Sequence, residues 1–220
     1  MFSGSCRGSG EFAAQNAGLR KKMDKTLNDT NKYIYVHAKE HCVSTLGPGE
    51  RFVLWTAGCG RKCPGCTTPE SWDMYAGRKI SVDELRMEIA ASGRNGLTIS
   101  GGEPFLQAEA LAELVRGVRR FRDVGVIVYT GYSYEELTEM PGAAGLLAET
   151  DLLIDGPYVR ELDDGRSLRG SSNQRVLPLT DRYASVLGLY GAEGRRREVF
   201  NYPSGVFEVG IPNDKRVIKM

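Results

Sequence analysis

Short apolar segments alternate with amphipathic helical patterns between residues 51 and 155, and this alternation leaves few folds open to the chain. The segments RFVLWTA, GLTIS, VGVIVYT and DLLID are typical of buried strands. Between the second and the third of them, Leu111, Leu114, Val115 and Val118 recur at helical spacing. Strands that alternate with helices form parallel βα units with right-handed crossovers. We therefore predict an α/β fold with a parallel sheet.

The number of units distinguishes the closed form of such a sheet from the open one. Four such strands are too few for a closed eight-stranded βα barrel. A partial, open TIM-like βα barrel with parallel strands fits better, and its ligand is expected at the C-terminal ends of the strands. A cysteine-rich loop, a Gly-Gly-Glu-Pro turn, YTGY and IDGPY each follow a strand. We expect all four to gather at one edge of the sheet.

The two ends of the chain differ from this core. Residues 1–22 are rich in Gly, Ser and other small residues, and we expect a flexible tail or an artefact of the chosen start. The core domain is assigned to residues 23–175. Residues 176–220 form a short β-rich C-terminal extension, in which REVFNYPSGVFEVGI predicts a hairpin. Within this extension, we expect Arg195, Arg196 and Arg197 to form a solvated turn.

Composition weakens the case for several classes of function. With a net charge of +1, the 220-residue chain offers no bulk argument for nucleic acid or an anionic membrane as partner. No run of about 18 apolar residues is present, so no membrane-spanning helix is predicted. The N-terminus lacks the apolar core of a signal peptide. We therefore expect a cytoplasmic protein, where clustered thiols more often bind metal than form disulfides.

Three of the five cysteines lie within AGCGRKCPGCTTPESW, directly after a predicted strand. Their C-x3-C-x2-C spacing lets the thiolates of Cys59, Cys63 and Cys66 converge on one metal centre. One interpretation is a 4Fe–4S cluster in which three irons bind thiolates and the fourth stays open to a substrate or cofactor. From the spacing alone, three interpretations are about equally supported: an iron–sulfur cluster, a zinc site and a coincidental grouping of cysteines.

The zinc interpretation requires a fourth ligand, for which Cys42, His37 and His41 are candidates. Closed zinc sites are usually built from paired C-x2-C knuckles, and the sequence contains no second knuckle. Without such a role, Cys42 is expected to be a packed free thiol. We assign no role to Cys6.

The context of the cysteines resembles the radical S-adenosylmethionine enzymes, because a Gly-Gly-Glu-Pro turn follows the next strand. The motifs CPGCTTPESW, TISGGEP, YTGYSYEEL, LLIDGPYVREL and RGSSNQR occur in this order, and GPGER precedes them. This series, over residues 33–175, is similar to the activating proteins of anaerobic (class III) ribonucleoside-triphosphate reductases. Five separated motifs in one order make the resemblance far more specific than the cysteines alone.

The resemblance implies one 4Fe–4S cluster held by Cys59, Cys63 and Cys66, with S-adenosylmethionine on the open iron. A low-potential electron donor such as flavodoxin or ferredoxin would reduce the cluster, and cleavage of the cofactor would give a 5′-deoxyadenosyl radical. The implied activity is abstraction of a hydrogen atom from one glycine of a large glycyl radical enzyme, the anaerobic reductase.

Further site residues follow from the same resemblance. Gly101, Gly102 and Glu103 are expected to contact the methionine end of S-adenosylmethionine, because glycine permits close approach of the backbone. Without the cysteine loop, the same residues would be an ordinary tight turn before a helix.

Thr130, Tyr132 and Asp155 stand at strand ends and are candidates for lining the cofactor pocket. For Asp155, the alternative is a turn-forming aspartate before Gly156. Gly65 stands where many superfamily members have an aromatic residue, so we expect the adenine to stack elsewhere, with Tyr132 as the candidate.

The extension beyond RGSSNQ is longer than a minimal activating protein needs, and it leaves the partner open. One alternative is a radical S-adenosylmethionine enzyme that acts on another peptide or a small molecule. Another is a non-catalytic, zinc-stabilised binding module. Within RGSSNQ itself, Asn173 and Gln174 either face the site or satisfy backbone groups in a loop.

Overall fold

A computed structural model describes residues 32–188, 194–203 and 205–211, so the predicted tail and Cys6 lie outside the described residues. A seven-stranded sheet with the order β3-β1-β2-β4-β5-β6-β7 forms its centre, and a two-stranded sheet, β8-β9, accompanies it. The strands are β1 Tyr33–Val43, β2 Arg51–Thr56, β3 Arg78–Ser81, β4 Gly96–Gly101, β5 Gly125–Tyr129, β6 Leu152–Asp155, β7 Arg175–Pro178, β8 Glu198–Tyr202 and β9 Gly205–Val209.

The centre of the large sheet is parallel. Strands β2, β4, β5 and β6 pair in parallel, as the alternation of strands and helices predicts. On the outer sides, β1 is antiparallel to both β2 and β3, and β7 is antiparallel to β6. The fold is thus mixed α/β with a mostly parallel central sheet, and β3 and β7 leave this sheet open at its two edges.

Sequence reasoning missed the edge strands β3 and β7 and the second half of β1, because only the segment YIYVH (residues 33–37) of β1 is typical of a strand. Strands β3 and β7 have four residues each and are largely polar or exposed, so they carry no apolar alternation. Strand β1 continues through the polar stretch AKEHC to Val43. Its pairing with β2 shifts register twice, and Cys42 adopts a positive φ of 64° at the second shift. Such bulges have no simple sequence period.

The described residues contain four α-helices: α1 Val82–Ala91, α2 Ala108–Arg119, α3 Tyr134–Glu139 and α4 Ala144–Ala148. The Ser81 hydroxyl caps α1 by accepting a bond from the Glu84 N–H. At α3, Ser133 and Glu136 form the full reciprocal capping box. None of the helices in the described part of the chain combines the length and apolar character that crossing a bilayer requires.

The large sheet is covered on both faces, which explains why its central strands are almost continuously apolar. Phe52, Leu54 and Val128 lie in one core cluster with the buried side chains of α1, α2 and α4. The alternate residues Val53 and Ile127 face clusters that contain C-terminal residues instead. The helices therefore pack on one face, and segments of the C-terminal region cover the other.

The hairpin of β8 and β9 is fastened to the large sheet by both polar and aromatic contacts. The Glu198 carboxylate accepts bonds from the N–H and hydroxyl groups of Ser44 and Thr45, at 2.8 to 3.1 Å. The Trp55 and Phe207 rings meet edge to face, with centroids 5.6 Å apart. This part of the extension is therefore packed against β2 and the loop that precedes it.

Candidate active site

The loops after the four parallel strands line one cavity of about 210 Å³. Parallel strands end at the same edge of a sheet, so each of these loops contributes residues to the cavity, as the sequence predicts. The contributions are Cys59, Cys63 and Cys66 after β2, Gly102 and Glu103 after β4, Thr130 and Gly131 after β5, and Gly156 and Tyr158 after β6.

The three cysteines are free thiols of intermediate burial. Backbone bonds shape their loop, because the Cys59 N–H reaches the Trp72 carbonyl at 3.0 Å and the Cys66 N–H reaches the Cys63 carbonyl at 3.1 Å. Burial raises the pKa of the Cys59 thiol, while hydrogen bonds from the N–H groups of Arg61 and Lys62 oppose this rise. Donors of this kind favour a thiolate, which is the form that ligates iron or zinc.

The candidates for a fourth zinc ligand lie in different surroundings. His41 pairs with Glu88 at 3.3 Å, and His37 lines a second cavity that also reaches Cys66. Cys42 is disulfide-bonded, so the prediction of a packed free thiol is wrong. Among the described residues, no three His, Cys, Asp or Glu side chains lie close enough together to hold a single metal ion. Three thiolates on one zinc would stand about 3.8 Å apart, whereas a cluster binds each thiolate through a different iron.

The Gly-Gly-Glu-Pro turn is joined to the cysteine loop through the backbone. The Gly102 N–H bonds to the Thr56 carbonyl and the Glu103 N–H bonds to the Gly58 carbonyl, both at 2.7 Å. A Cβ on Gly102 would lie 2.3 Å from the Gly58 oxygen. Gly101 has a φ of +101°, and its Cβ would lie 2.4 Å from the Thr56 nitrogen. Contact between two loops thus requires both glycines, which is a reason that sequence reasoning did not identify.

Glu103 is a buried carboxylate held in a fixed orientation. One oxygen accepts bonds from the Phe105 N–H at 3.1 Å and the Thr130 hydroxyl at 2.9 Å, and the other accepts from the Gly131 N–H at 2.8 Å. Burial raises the pKa of Glu103, and these three bonds and the charge of Arg61 oppose the rise. The carboxylate therefore lines the cavity with both oxygens already positioned.

Two predicted site residues do not line this cavity among the described residues. The Tyr132 ring packs against the main core and lies under the Arg61 guanidinium, 4.3 Å from it. Asp155 is buried and accepts bonds from the Tyr134 N–H at 2.7 Å and from Arg175 Nε at 3.0 Å. Asp155 thus connects the start of α3 to β7. These bonds differ from the local role of a turn-forming aspartate that was the alternative for this residue.

Residues that sequence reasoning did not single out complete the wall. Tyr158 and Arg160 both line the cavity, within the motif LLIDGPYVREL. Gly65 has a φ of +79°, and a Cβ there would lie 2.3 Å from Arg160 Nε. The Arg160 guanidinium therefore occupies the space where a side chain of residue 65 would begin. Only the fold brings these two positions together, since they are far apart in the chain.

The RGSSNQ loop supports the wall through backbone bonds. Gln174 Nε2 donates to the Gly156 carbonyl at 2.8 Å, and Asn173 Nδ2 donates to the Pro157 carbonyl at 2.7 Å. Both amides therefore satisfy backbone groups, and Gln174 also lines the cavity, so it fills both of the roles foreseen for it.

Arg195 reaches the same loop from the C-terminal extension. Its guanidinium donates to the Arg169 carbonyl at 3.0 Å and the Gly170 carbonyl at 2.6 Å, and pairs with Asp163 at 2.8 Å. Its side chain is 2% exposed, so the prediction that Arg195 lies in a solvated turn is wrong.

Comparison with known proteins agrees with this site. Residues 45–177 match the model of the 4Fe-4S single cluster domain family. The anaerobic ribonucleoside-triphosphate reductase-activating protein of Enterobacteria phage T4 is 34% identical over 146 residues, which are 64% of this chain and 91% of that protein. The protein of the same name from Escherichia coli K12 is 33% identical over 143 residues, 59% of this chain and 89% of the relative.

A second kind of activating enzyme is also similar. The pyruvate formate-lyase 1-activating enzyme of Escherichia coli K12 is 35% identical over 153 residues, which are 64% of this chain and 59% of that protein. The matched residues include all four of the loops after the parallel strands that line the cavity, the cysteine loop among them. The chain therefore belongs to the radical S-adenosylmethionine activases, the family of the anaerobic ribonucleoside-triphosphate reductase-activating proteins.

Proposed function

We propose that this protein reductively cleaves S-adenosylmethionine and uses the resulting radical to generate a glycyl radical on an anaerobic ribonucleotide reductase. One observation carries the proposal: a single cavity joins three free thiols to the Gly101–Glu103 turn. A sulfur-rich wall suits an iron–sulfur cluster, and a buried carboxylate beside it suits a cationic ligand.

The cysteine loop would hold the cluster. Cys59, Cys63 and Cys66 are the cavity's thiols, and their number leaves one iron of a 4Fe–4S cluster without a protein ligand. When bound, the cluster supplies the electron that cleaves S-adenosylmethionine to methionine and a 5′-deoxyadenosyl radical. The chain's own contribution is a loop whose N–H groups at Arg61 and Lys62 stabilise a thiolate at Cys59.

The Gly101–Glu103 turn would orient the methionine end of the cofactor. The Glu103 carboxylate would accept the methionine ammonium, because its oxygens are fixed by Thr130, Gly131 and Phe105. Gly101 and Gly102 allow this turn to pack directly against the cysteine loop. The distance between the proposed ammonium site and the proposed cluster site would therefore be fixed. Thr130 thus positions Glu103, and we propose supporting roles for Tyr132 and Asp155 through Arg61 and α3.

The surroundings of this reaction complete the proposal. The partner would be a large glycyl radical enzyme whose glycine reaches the cavity, and flavodoxin or ferredoxin would supply the electron. The open sheet would form the partial βα barrel of this family, and the protein would work in the cytoplasm. Because a pyruvate formate-lyase-activating enzyme is also similar to the chain, a different glycyl radical enzyme is a second candidate partner.

Anaerobic reconstitution with iron and sulfide tests the proposal. With dithionite and S-adenosylmethionine, we expect 5′-deoxyadenosine to form. With the reductase added, we expect the doublet of a glycyl radical in the electron paramagnetic resonance spectrum. A fully loaded cluster that yields no 5′-deoxyadenosine would overturn the proposed chemistry. Cleavage without a doublet on the reductase would shift the proposal to the second candidate partner.

A further inference from the structure

Two side chains in the wall of the three-cysteine cavity carry a buried N–H group that has no acceptor. Trp72 Nε1 and Arg61 Nε are both buried without a hydrogen-bond partner among the described residues, and both residues line this cavity. The Arg61 guanidinium still donates to Glu136 through a terminal nitrogen, at 3.0 and 2.9 Å. The indole of Trp72 has only one polar atom, so its whole hydrogen-bonding capacity is unmet. Burying such a donor is unfavourable, and it points to an acceptor that the protein alone does not supply.

The backbone places Trp72 directly beside the first cysteine of the loop. The Cys59 N–H donates to the Trp72 carbonyl at 3.0 Å, and the Gly58 N–H donates to the Ser71 carbonyl at 2.8 Å. Two bonds between consecutive residues fix these two short segments side by side. The side chain of Trp72 therefore starts next to the cysteine loop, in the wall of the cavity that Cys59 also lines.

Other side-chain acceptors in the wall of this cavity are already engaged. Both oxygens of Glu103 accept hydrogen bonds from neighbouring groups. Gln174 Oε1 accepts the Gly170 N–H at 2.7 Å, and Asp163 pairs with Arg195 at 2.8 Å. The thiols of the three loop cysteines, in contrast, receive no side-chain hydrogen bond among the described residues. The sulfur atoms of an iron–sulfur cluster at these thiols are acceptors of the kind that the indole lacks.

We propose that the Trp72 indole N–H donates a hydrogen bond to a sulfur of the 4Fe–4S cluster and thereby raises the reduction potential of the cluster. One-electron reduction adds a negative charge, and a hydrogen bond to sulfur stabilises the more negative form. The electron comes from the low-potential donor of the proposed function. Trp72 is thus a positioning residue that makes this electron transfer more favourable. The inference rests on the proposed function, because it requires the cluster.

Redox titration of the reconstituted full-length protein, without S-adenosylmethionine, tests the effect of the bond. Trp72→Phe keeps an aromatic ring and removes the donor. We expect reduction of the cluster in this variant to be about 3- to 10-fold less favourable. This lowers the midpoint potential by about 30 to 60 mV, since a tenfold change is 59 mV for one electron.

Trp55→Phe is the matched control, because it removes the only other indole of the chain. Trp55 lines the second cavity and, among the described residues, is not part of the wall of the first. The midpoint potential of this variant should therefore equal that of the wild type.

Pulsed electron paramagnetic resonance detects the bond itself and does not depend on how Trp72→Phe folds. In Trp55→Phe grown with tryptophan labelled with ¹⁵N at the indole nitrogen, Trp72 carries the only label. We expect a ¹⁵N coupling to the reduced cluster in this protein. The coupling should be absent from labelled Trp72→Phe, in which Trp55 carries the label.

The outcomes separate this inference from the proposed function. A reduced cluster without ¹⁵N coupling, or equal midpoint potentials for Trp72→Phe and Trp55→Phe, would overturn the role of Trp72. The proposed function would stand in either case if the wild type still cleaves S-adenosylmethionine. A wild type that assembles no 4Fe–4S cluster would contradict the proposed function itself.

Discussion

At the scale of single residues, the cysteine loop and the Gly-Gly-Glu-Pro turn depend on each other. Two backbone bonds of 2.7 Å join them, and Gly101 and Gly102 have no room for a side chain. The atoms that a Cβ would meet belong to the backbone, which cannot move aside as a flexible side chain can. The position of the cysteines relative to Glu103 is therefore set by two glycines.

Gly102→Ala tests this dependence. We expect a loss of about 1–3 kcal/mol in the free energy of unfolding, because the new methyl would meet the Gly58 carbonyl oxygen at 2.3 Å. Gly60→Ala, in the cysteine loop, is the control, since a Cβ at Gly60 meets nothing within 4 Å. Its change should stay within about 0.5 kcal/mol. Equal effects of the two variants in chemical denaturation would contradict the account.

Cluster assembly separates the three loop cysteines from Cys42. The strand register pairs Val36 with Thr56 at the cavity end of β2, and Val43 with Arg51 at the other end. Cys42 therefore lies at the end of the sheet remote from the cavity. Alanine at any one of the loop cysteines should abolish the cluster's absorption and iron content after reconstitution, and Cys42→Ala should keep both. Loss of the iron in Cys42→Ala would restore the closed-site interpretation.

At the scale of secondary-structure elements, Arg175 ties three elements together at the edge of the sheet. From β7, its guanidinium pairs with Asp155 at the end of β6 and with Glu135 at 2.7 Å in the first turn of α3. Asp155 also accepts the Tyr134 N–H, which is one of the unpaired donors at the start of α3. These contacts fix the start of α3, which directly follows the loop whose Thr130 and Gly131 line the cavity.

The pH dependence of stability reports on this tie. Hydrogen bonds from Arg175 lower the pKa of the exposed Glu135 carboxyl from 4.5 to about 2. Because the folded-state pKa lies below the unfolded one, the stabilisation is complete above about pH 4.5 and is lost as the pH falls towards 2. The difference in unfolding free energy between wild type and Glu135→Gln should therefore shrink over this range. Its size should be small, since the pair is exposed to solvent.

Glu139→Gln is the control for this titration. Glu139 ends the same helix and makes no ion pair among the described residues. Its unfolding free energy at neutral pH should stay within about 0.5 kcal/mol of that of the wild type, because the Arg175–Glu135 pair stays intact. A difference for Glu135→Gln that stays constant from pH 5 to 2 would show that Glu135 and Arg175 do not interact in solution.

The elements themselves were predictable where a periodic apolar pattern exists. RFVLWT and GVIVY carry the continuous hydrophobicity of strands buried on both faces, and both are central strands. Ser133 and Glu136 stand three residues apart, the spacing typical of a capping box, and they form one in the structure. Strands β3 and β7 were not predictable, because edge strands of four residues bury too little to require an apolar pattern.

At the scale of the whole molecule, the C-terminal hairpin shapes the second side of the site. A cavity of about 340 Å³ lies between β9 and the large sheet, and it shares Cys66, Gly101 and Tyr129 with the first cavity. Arg195 extends this connection to the RGSSNQ loop. The extension is therefore built into the surroundings of the cysteine loop, although the sequence reasoning treated it as an addition of unknown role.

Glu198→Ala tests how the hairpin is fastened. The variant loses all four hydrogen bonds to Ser44 and Thr45, and charge-assisted bonds of this kind contribute about 1.5–3 kcal/mol each. Amide hydrogens of β8 and β9 should exchange at least about tenfold faster, while β4 and β5 keep their protection. Glu208→Ala is the control, because Glu208 in β9 pairs with Arg197, the residue just before β8, and makes no bond to Ser44 or Thr45 among the described residues. Unchanged exchange in Glu198→Ala would contradict the attachment.

The part of the site that lies within short contiguous motifs was predictable from the sequence. The cysteines and Glu103 lie in contiguous motifs that follow strands, so the topology of parallel strands was enough to bring them together. Arg160 and Arg195 act across the fold, on Gly65 and on the RGSSNQ loop, and no local pattern marks such contacts. Tyr132 is the opposite case: its position near a strand end suggested that it lines the cavity, but its half-buried ring packs against the main core.

The central claim is that the three-cysteine cavity holds a 4Fe–4S cluster whose open iron binds S-adenosylmethionine. Electron–nuclear double resonance on the reduced, reconstituted protein tests it most directly, with S-adenosylmethionine labelled with ¹⁵N at its amino group. The account predicts a ¹⁵N coupling to the cluster that is present with the labelled cofactor and absent with the Cys59→Ala variant. A fully loaded cluster that shows no ¹⁵N coupling at saturating cofactor would contradict it.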